Sequence, residues 1–511
     1  TKSSERDMAA FMGVDLGTSS IKVLIVDEEG KVLAQSARSY RYSSPVNGYA
    51  EQDPEEWWEA FCQASREAVG SLEIPAKEVK AVGFSGQMHG LTVLDRNKKA
   101  VRPVILHCDA RSKKQADELN EKIGTQRILR ETMNPYCVGV ALTSLMWLKE
   151  KEPENYERIR YVMLPKDYLK FRMTGQISTD CSDAAGSLAF GIREGKWSEE
   201  ILQLLELPRE WFPEVYETAD VIGKLGKKAE EETGLKEGTL ITAGGADQVM
   251  QAIGSGMILP GQATSNIGTA GQISVQTGQP IVNPSLNTNT FTSYKKDKWY
   301  VMGAMSDAAG SLNWLNQFFG RPDYDRLNRQ VEEVGPGSGG LLFYPYLSGN
   351  RCPHLNPDIS GIFAGITWNT GRAQMSRGVM EGVVFTLKEC MELVCSLGVS
   401  VEEVMASGGG ARSRPWLQMQ ADIFGIPVKT TLSEEQAGLG AAIAAGTGAG
   451  IYRDVQEGCR QTVRYSRDIY EPDLENRKRY GEYYELYKEF YRSCEKTLEK
   501  LTLLGRREER S

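Results

Sequence analysis

At 511 residues the chain is too long to fold around one core, so two large domains or more are expected. Hydrophobic residues make up 41% and charged residues 25%, ordinary proportions for a globular protein, and no apolar run reaches membrane-spanning length. The formal net charge of −8 gives no broad basic face, which argues against a nucleic-acid partner or an anionic membrane surface.

The polar start TKSSERDMAA is expected to fray. Two apolar runs follow in FMGVDLGTSSIKVLIV, residues 11–26, and read as neighbouring strands around Asp15-Leu16-Gly17-Thr18-Ser19-Ser20. One carboxylate, one glycine and three hydroxyls in six residues suit a metal-bound phosphate. Glycine lets the backbone approach, amides and hydroxyls bond phosphate oxygens, and the carboxylate faces a hard cation. Taken alone, the same residues also describe an ordinary hairpin with a polar turn. A third strand, KVLAQSARSY, comes next. Asp53 is a good N-cap and Pro54 a good first position for the helix EEWWEAFCQASREAVG, whose Trp58, Phe61 and Ala64 recur at helical spacing as core.

VKAVGFS, residues 79–85, is a strand that runs into Gln87-Met88-His89-Gly90, and LTVLD is another. A short strand at 103–106 ends at His107-Cys108-Asp109-Ala110-Arg111, and residues 112–170 are expected to be mostly helical. Residues 179–186, TDCSDAAG, read as a polar loop of small residues. The strand GTLITA enters Gly244-Gly245-Ala246-Asp247-Gln248 and a helix. The turn Pro260-Gly261 is the expected boundary between halves.

The second half opens with QATSNIGTAGQISVQTG. Asn266-Ile267-Gly268-Thr269 repeats the pattern of Asp15-Leu16-Gly17-Thr18, with Asn in place of the acid. Ser407-Gly408-Gly409-Gly410-Ala411-Arg412-Ser413 follows the strand VEEVMAS and precedes a helix. GLGAAIAAGTGAG is a small-residue helix able to pack tightly. From Asn476 the chain becomes a charged, aromatic amphipathic helix that caps the fold or forms an interface and leaves room for a homodimer. Nine scattered cysteines, none in a C-x-x-C pair, read as reduced thiols, and with no signal peptide in view the expected location is the cytoplasm.

Four glycine-bearing turns therefore each follow a strand, two of them internally similar, and neither a Walker A sequence nor a Rossmann fingerprint is present. Such a set suggests a nucleotide clamped between two related halves. The order DLGTSS, QMHG, LPKDYL, SDAAG, GGADQ, NIGTAG, YLSGNRCPHLNP and GGGARS resembles the FGGY carbohydrate kinases, and among them the kinases of D-xylulose. The likeness runs from about Met12 to about Gly450. It implies an α/β fold of the two-domain actin-like and hexokinase-like (ribonuclease H-like) kind, with ATP and sugar in the interdomain cleft. The expected units are an N-terminal domain over 10–258, a C-terminal domain over 262–450 and a helical tail over 451–511.

The resemblance also implies roles. Asp247 matches the catalytic base, although Asp at that place would equally cap the following helix. Asp15 matches the second carboxylate, holding Mg²⁺, directly or through water. Gly17, Thr18, Ser19 and Ser20 form the first phosphate loop, and Gly268, Thr269 and Ala270 the second. Lys22 adds charge there or is a solvated strand residue. Gly409, Gly410 and Arg414 match the adenosine turn, with Asn313 as a further adenine-side candidate. Gln87, Met88, His89, His107, Asp109, Asp247 and Gln248 match the sugar side. A metal site built from His89, His107, Cys108, Cys352 and His354 lacks zinc spacing.

Departures from the family pattern cluster at the sugar. His107-Cys108 stands where Trp and Asn are usual, Thr143-Ser144 where Pro and Lys are usual, and the catalytic turn carries Ala246 and Gln248. The expected reaction is transfer of the ATP γ-phosphoryl group to the terminal hydroxyl of a ketopentose, D-xylulose first. The alternatives are ribulose, L-xylulose or a polyol and, more distantly, an actin-like nucleotide-binding protein without kinase activity.

Overall fold

A computed structural model describes residues 8–508. Residues 1–7, most of the start expected to fray, and 509–511, the last of the tail, lie outside the described residues. Two mixed sheets organise the chain. The first has the order Val221–Lys224, Leu240–Thr242, Val79–Gly86, Ala10–Leu16, Ser20–Asp27, Val32–Ser39, and Gly245–Ala246 also pairs with Val79–Gly86. The second has the order Asn289–Thr292, Trp299–Met305, Gly271–Thr277, Gln262–Ile267, Glu403–Ser407, Val428–Lys429.

The internal similarity read in the sequence is a similarity of sheet plan. Ala10–Leu16 runs antiparallel to Ser20–Asp27 and parallel to Val79–Gly86. Gln262–Ile267 likewise runs antiparallel to Gly271–Thr277 and parallel to Glu403–Ser407. In register, Asp15 lies between Lys22 and Ser85, and Asn266 lies between Gln272 and Ser407. The two turns therefore occupy equivalent corners of the two sheets.

The helix Pro54–Gly70 starts at Asp53, whose side chain accepts from the Glu55 amide, and buries Trp57, Trp58, Phe61 and Ala64 as expected. Residues 112–170 are mostly helical. Residues 179–186 are not the polar loop expected. Asp180 ends the strand Ser178–Asp180 and caps the helix Cys181–Gly186, every residue of which is buried. A polar composition misled here because Asp180 and Ser182 spend their polarity inside the protein.

Helix Gln436–Gly448, within the range read as the C-terminal domain, lies backbone to backbone on the first half. A Cβ at Gly13 would stand 1.9 Å from the Gly438 carbonyl oxygen, and one at Gly83 1.9 Å from that of Ala441. One at Gly254 would stand 1.7 Å from the Gln436 oxygen. Leu439, Ala441 and Ile443 share a core with Phe11, Leu24, Met250 and Ile253. The tail helix Leu474–Glu508 buries Tyr480, Tyr484, Tyr487 and Tyr491 in the core of the second half, with Tyr487 stacked on Tyr344 at 4.2 Å. It is thus a structural cap of that half. The nine cysteines are unpaired, and no described helix is long and apolar enough to cross a membrane.

Candidate active site

Asp15 is the penultimate residue of strand Ala10–Leu16, just before the first turn. That turn is closed by the Gly17 amide donating to the Ser20 carbonyl at 2.9 Å. From behind, Tyr40 donates to the Gly17 carbonyl at 2.6 Å and Gln52 to the Thr18 carbonyl at 2.7 Å. Gln87, buried beneath the turn, donates its backbone amide to Leu16 at 2.8 Å. Its side-chain amide donates to the Gly17 carbonyl at 3.4 Å, so it supports the first turn, and it lines neither of the cavities described next.

Asp247 is the first residue of helix Asp247–Gly254, and Ala246, not Asp247, is the N-cap. Its carboxylate accepts from the Gln248 amide at 2.7 Å. The turn before it needs its first glycine. Gly244 has φ +73°, and a Cβ there would stand 2.4 Å from the Phe84 carbonyl oxygen. Asp15 and Asp247 face one cavity of about 850 Å³ between the halves, together with Lys22, Gln248, Asn266, Ser407, Gly409, Arg412, Thr431, Glu435 and Gln436. Burial, then the neighbouring Asp15 charge, pushes the Asp247 carboxyl up to about 7. Burial also pushes Asp15 upward, against the pull of Ser85 and Lys22. Lys22 is held by Glu435 at 3.0 Å, an ion pair that bridges the two halves beside this cavity.

A second cavity of about 200 Å³ lies between His89, Asn134 and Cys137 from the first half and Ala270, Gln272, Asn289, Phe291 and Arg351 from the second. Gln272 donates to the Gln248 side chain, so one hydrogen bond joins the walls of the two cavities. His89 has φ +70°, and its Nδ1 lies 2.7 Å from the Gly186 carbonyl oxygen. A carbonyl can only accept, so Nδ1 carries the proton. Burial holds the ring's pKa down to about 4, so it is neutral, and Nε2 keeps a free lone pair.

The remaining candidates stand elsewhere. Met88 is buried, and its side-chain methyl lies beside Gly186. Asp109 is buried with Arg111 at 2.8 Å and accepts from the Ala50 amide at 2.6 Å. Arg111 in turn stacks over Tyr49, 3.8 Å from its centroid. His107 is exposed and lines neither cavity. Thr18, Ser19 and Ser20 stand in the first turn, with Ser19 exposed. In the second turn Gly268 donates to Ala270 at 3.0 Å, and Thr269 and Ala270 are exposed. Gly409 lines the larger cavity, while Gly410 is buried against Ile267, whose side chain a Cβ would meet at 2.7 Å. Asn313 and Arg414 are exposed and outside both cavities, and Arg412 lines the larger one instead.

Sequence reasoning put no role on Asn134, Asn266, Gln272, Asn289, Arg351, Arg412 or Gln436. Asn266 had a signal, since it stands where the repeat has Asp15, and Arg351 and Arg412 lay inside family-like motifs. The others come from strands, loops and a helix start whose meeting only the fold reveals. Asp167, Asp180 and Asp183 are gathered closely enough to suggest a cation. The Lys166 ammonium already fills that place, at 3.1, 2.5 and 2.6 Å from the three carboxylates.

Residues 10–254 match the N-terminal domain, and residues 263–449 the C-terminal domain, of the FGGY family of carbohydrate kinases. The chain is 36% identical to a xylulose kinase of Bacillus subtilis over 485 residues, 95% of this chain and 97% of the relative. Among solved structures it is similar to a ligand-bound xylulose kinase from Lactobacillus acidophilus, with 25% identity and a TM-score of 0.90, covering 96% of this chain and 100% of that one. It is equally similar in fold to a gluconate kinase from Lactobacillus acidophilus, with 25% identity and a TM-score of 0.90 over 97% of this chain and 100% of that one.

Proposed function

The chain belongs to the FGGY family of carbohydrate kinases, and from that premise we propose that it transfers the γ-phosphoryl group of ATP to the terminal hydroxyl of D-xylulose, giving the 5-phosphate. The observation that carries this reading is Asp247, a carboxyl tuned to about 7 at the wall of a cleft between two glycine-turn halves. Phosphoryl transfer asks for positioning, charge neutralisation and a base for the attacking hydroxyl. Asp247 takes the hydroxyl proton as the sugar oxygen bonds to the γ-phosphorus and the bond to the β-γ bridging oxygen breaks, leaving ADP. The larger cavity takes ATP, with Asp15 and Asn266, each on the strand that leads into a glycine turn, toward its phosphates and Gly409 and Arg412 toward the nucleoside. In the smaller cavity His89 Nε2 accepts from a sugar hydroxyl and the Gln272 amide supplies further donors and acceptors, while Gln248, bonded to Gln272, stands on the wall of the larger cavity.

Two carboxylates facing one cavity, whose Lys22 is already paired to Glu435, fit a divalent ion accompanying ATP. Asp15 would hold Mg²⁺, directly or through water. The ion supplies neutralisation of phosphate charge, and what the protein adds is Asp247's proton chemistry and the placement of the sugar.

One observation favours a second acceptor class. Arg351 is a cation at the smaller cavity, whose lining includes no carboxylate, and one solved relative is a gluconate kinase. A guanidinium there suits a sugar acid. A coupled ADP-release assay across D-xylulose, ribulose, L-xylulose, polyols and gluconate separates the readings. D-xylulose is expected to give the highest kcat/KM. A higher value for gluconate that falls in Arg351→Ala would replace the ketose reading.

A further inference from the structure

The turn that carries Asp247 is held at both ends by a buried charged cluster. Lys166, Lys170, Asp167, Asp180 and Asp183 are fully buried. Lys170 Nζ reaches Asp167 at 2.9 Å and also donates to the Ala243 carbonyl at 2.9 Å, at the entry to the Gly244-Gly245 turn. At the exit, the Ala246 amide donates to Ser182 Oγ at 2.9 Å. Ser182 in turn donates to Asp180, the N-cap of its own helix, and Asp180 is tied to Lys166 at 2.5 Å. Lys166 packs beneath the end of the neighbouring strand, where a Cβ at Gly86 would meet its Cβ at 2.7 Å.

Five buried ionisable groups are costly compared with apolar residues of the same volume. Burial raises the Asp183 carboxyl while Lys166, 2.6 Å away, pulls it down, and the two ammonium groups offset carboxylate charge inside the cluster. That pairing makes the cluster tolerable but does not explain why it is there. One outward hydrogen bond, from the Leu164 amide to Asp167 at 3.1 Å, closes the start of the helix that carries Lys166 and Lys170. Two others go to backbone atoms of the glycine turn, one residue before its first glycine and one residue before Asp247, and these give the cluster a use. A glycine pair is the most conformationally free link in the chain, and an error of about 1 Å at a reacting group can cost about 100-fold in rate.

We propose that Lys170 and Ser182, braced by Asp167, Asp180 and Lys166, are positioning residues that clamp the Gly244-Gly245 turn and so fix the Asp247 carboxylate against the acceptor hydroxyl. None of them lines the nucleotide or sugar cavity, so their effect reaches the reaction only through the turn. This inference rests on Asp247 being the base.

The test uses the full chain with the best acceptor of the sugar panel. Ser182→Ala removes the acceptor for the Ala246 amide but leaves every charge in place. It is expected to lower kcat about tenfold or more while KM for ATP and nucleotide affinity stay unchanged, and Ser182→Thr, which keeps the hydroxyl, is expected to restore kcat. Lys170→Met is expected to act in the same direction. Should it fail to fold, Ser182→Ala decides. A folded Ser182→Ala enzyme with wild-type kcat would overturn the clamp, as would a loss confined to KM or one that Ser182→Thr does not repair. Asp247→Ala is assayed in parallel. Full activity in that variant would remove the base itself, whereas an inactive Asp247→Ala beside an unimpaired Ser182→Ala would remove only the clamp.

Discussion

A carboxylate that must take a proton from a sugar hydroxyl works best with a pKa near the working pH. An exposed aspartate, near 4, is too weak a base for the task. Asp247 is lifted to about 7 first by burial and then by the like charge of Asp15. Its base form is populated above that value, so kcat/KM for the sugar is expected to rise with pH through about 7 and then level off. An acid limb near 4 instead would mean that Asp247 is not the group being titrated. The motif GGADQ marked this residue in the sequence, but nothing there showed its partnership with Asp15. That partnership depends on strand Ala10–Leu16 lying beside Val79–Gly86, which also carries Gly245–Ala246 at its end. His89 was legible as a loop histidine. The acceptor role proposed for its Nε2 depends on Nδ1 being spent on the Gly186 carbonyl, a contact that only the fold shows.

At the scale of elements, strands and helices followed from ordinary patterning, and the exceptions have physical causes. Residues 179–186 read as a loop because polar and small residues are usually solvated, yet here Asp180 and Ser182 turn inward to cap a helix and hold the turn before Asp247. The small-residue helix Gln436–Gly448 was legible as a packing element, but its partners were not, because they lie far off in sequence, at Gly13, Gly83 and Gly254. Its close contact explains glycines inside strands, where they otherwise weaken a sheet. Gly83→Ala would drive a Cβ to 1.9 Å from the Ala441 oxygen, and neither backbone can yield cheaply. We expect destabilisation at or above the usual overpacking cost of about 1–3 kcal/mol, read as a lower denaturant midpoint. Gly70→Ala is the control, because nothing lies within 4 Å of a Cβ there, and it is expected to be neutral or stabilising.

For the whole molecule, the internal echo of DLGTSS in NIGTAG was the clearest sign that two related halves face each other. The fold turns that echo into geometry, with Asp15 and Asn266 at matching sheet corners on one cavity. What the sequence could not supply was the set of contacts made only when the halves meet, such as Gln248 with Gln272 and Lys22 with Glu435. The Lys22–Glu435 pair is well exposed, at 45% and 36% of the side chains, so it contributes little to stability, about 0–1 kcal/mol. It also lines the larger cavity, proposed to take ATP. Lys22→Met is expected to leave the unfolding midpoint almost unchanged while weakening ATP binding severalfold, measured by titration calorimetry with magnesium present. Unchanged nucleotide affinity would return Lys22 to the status of a solvated strand residue.

The central proposal for this chain is that Asp247 acts as base in a cleft that binds nucleotide independently of it. The most direct measurement compares wild type with Asp247→Asn, an isosteric change, for sugar-dependent ADP release and for nucleotide affinity in the same preparation. The predicted result is a fall in turnover of about 10²–10⁴-fold with nucleotide affinity unchanged or slightly stronger, since a negative charge has left the cavity. Turnover within a few-fold of wild type, or loss of nucleotide binding in a folded variant, would contradict it.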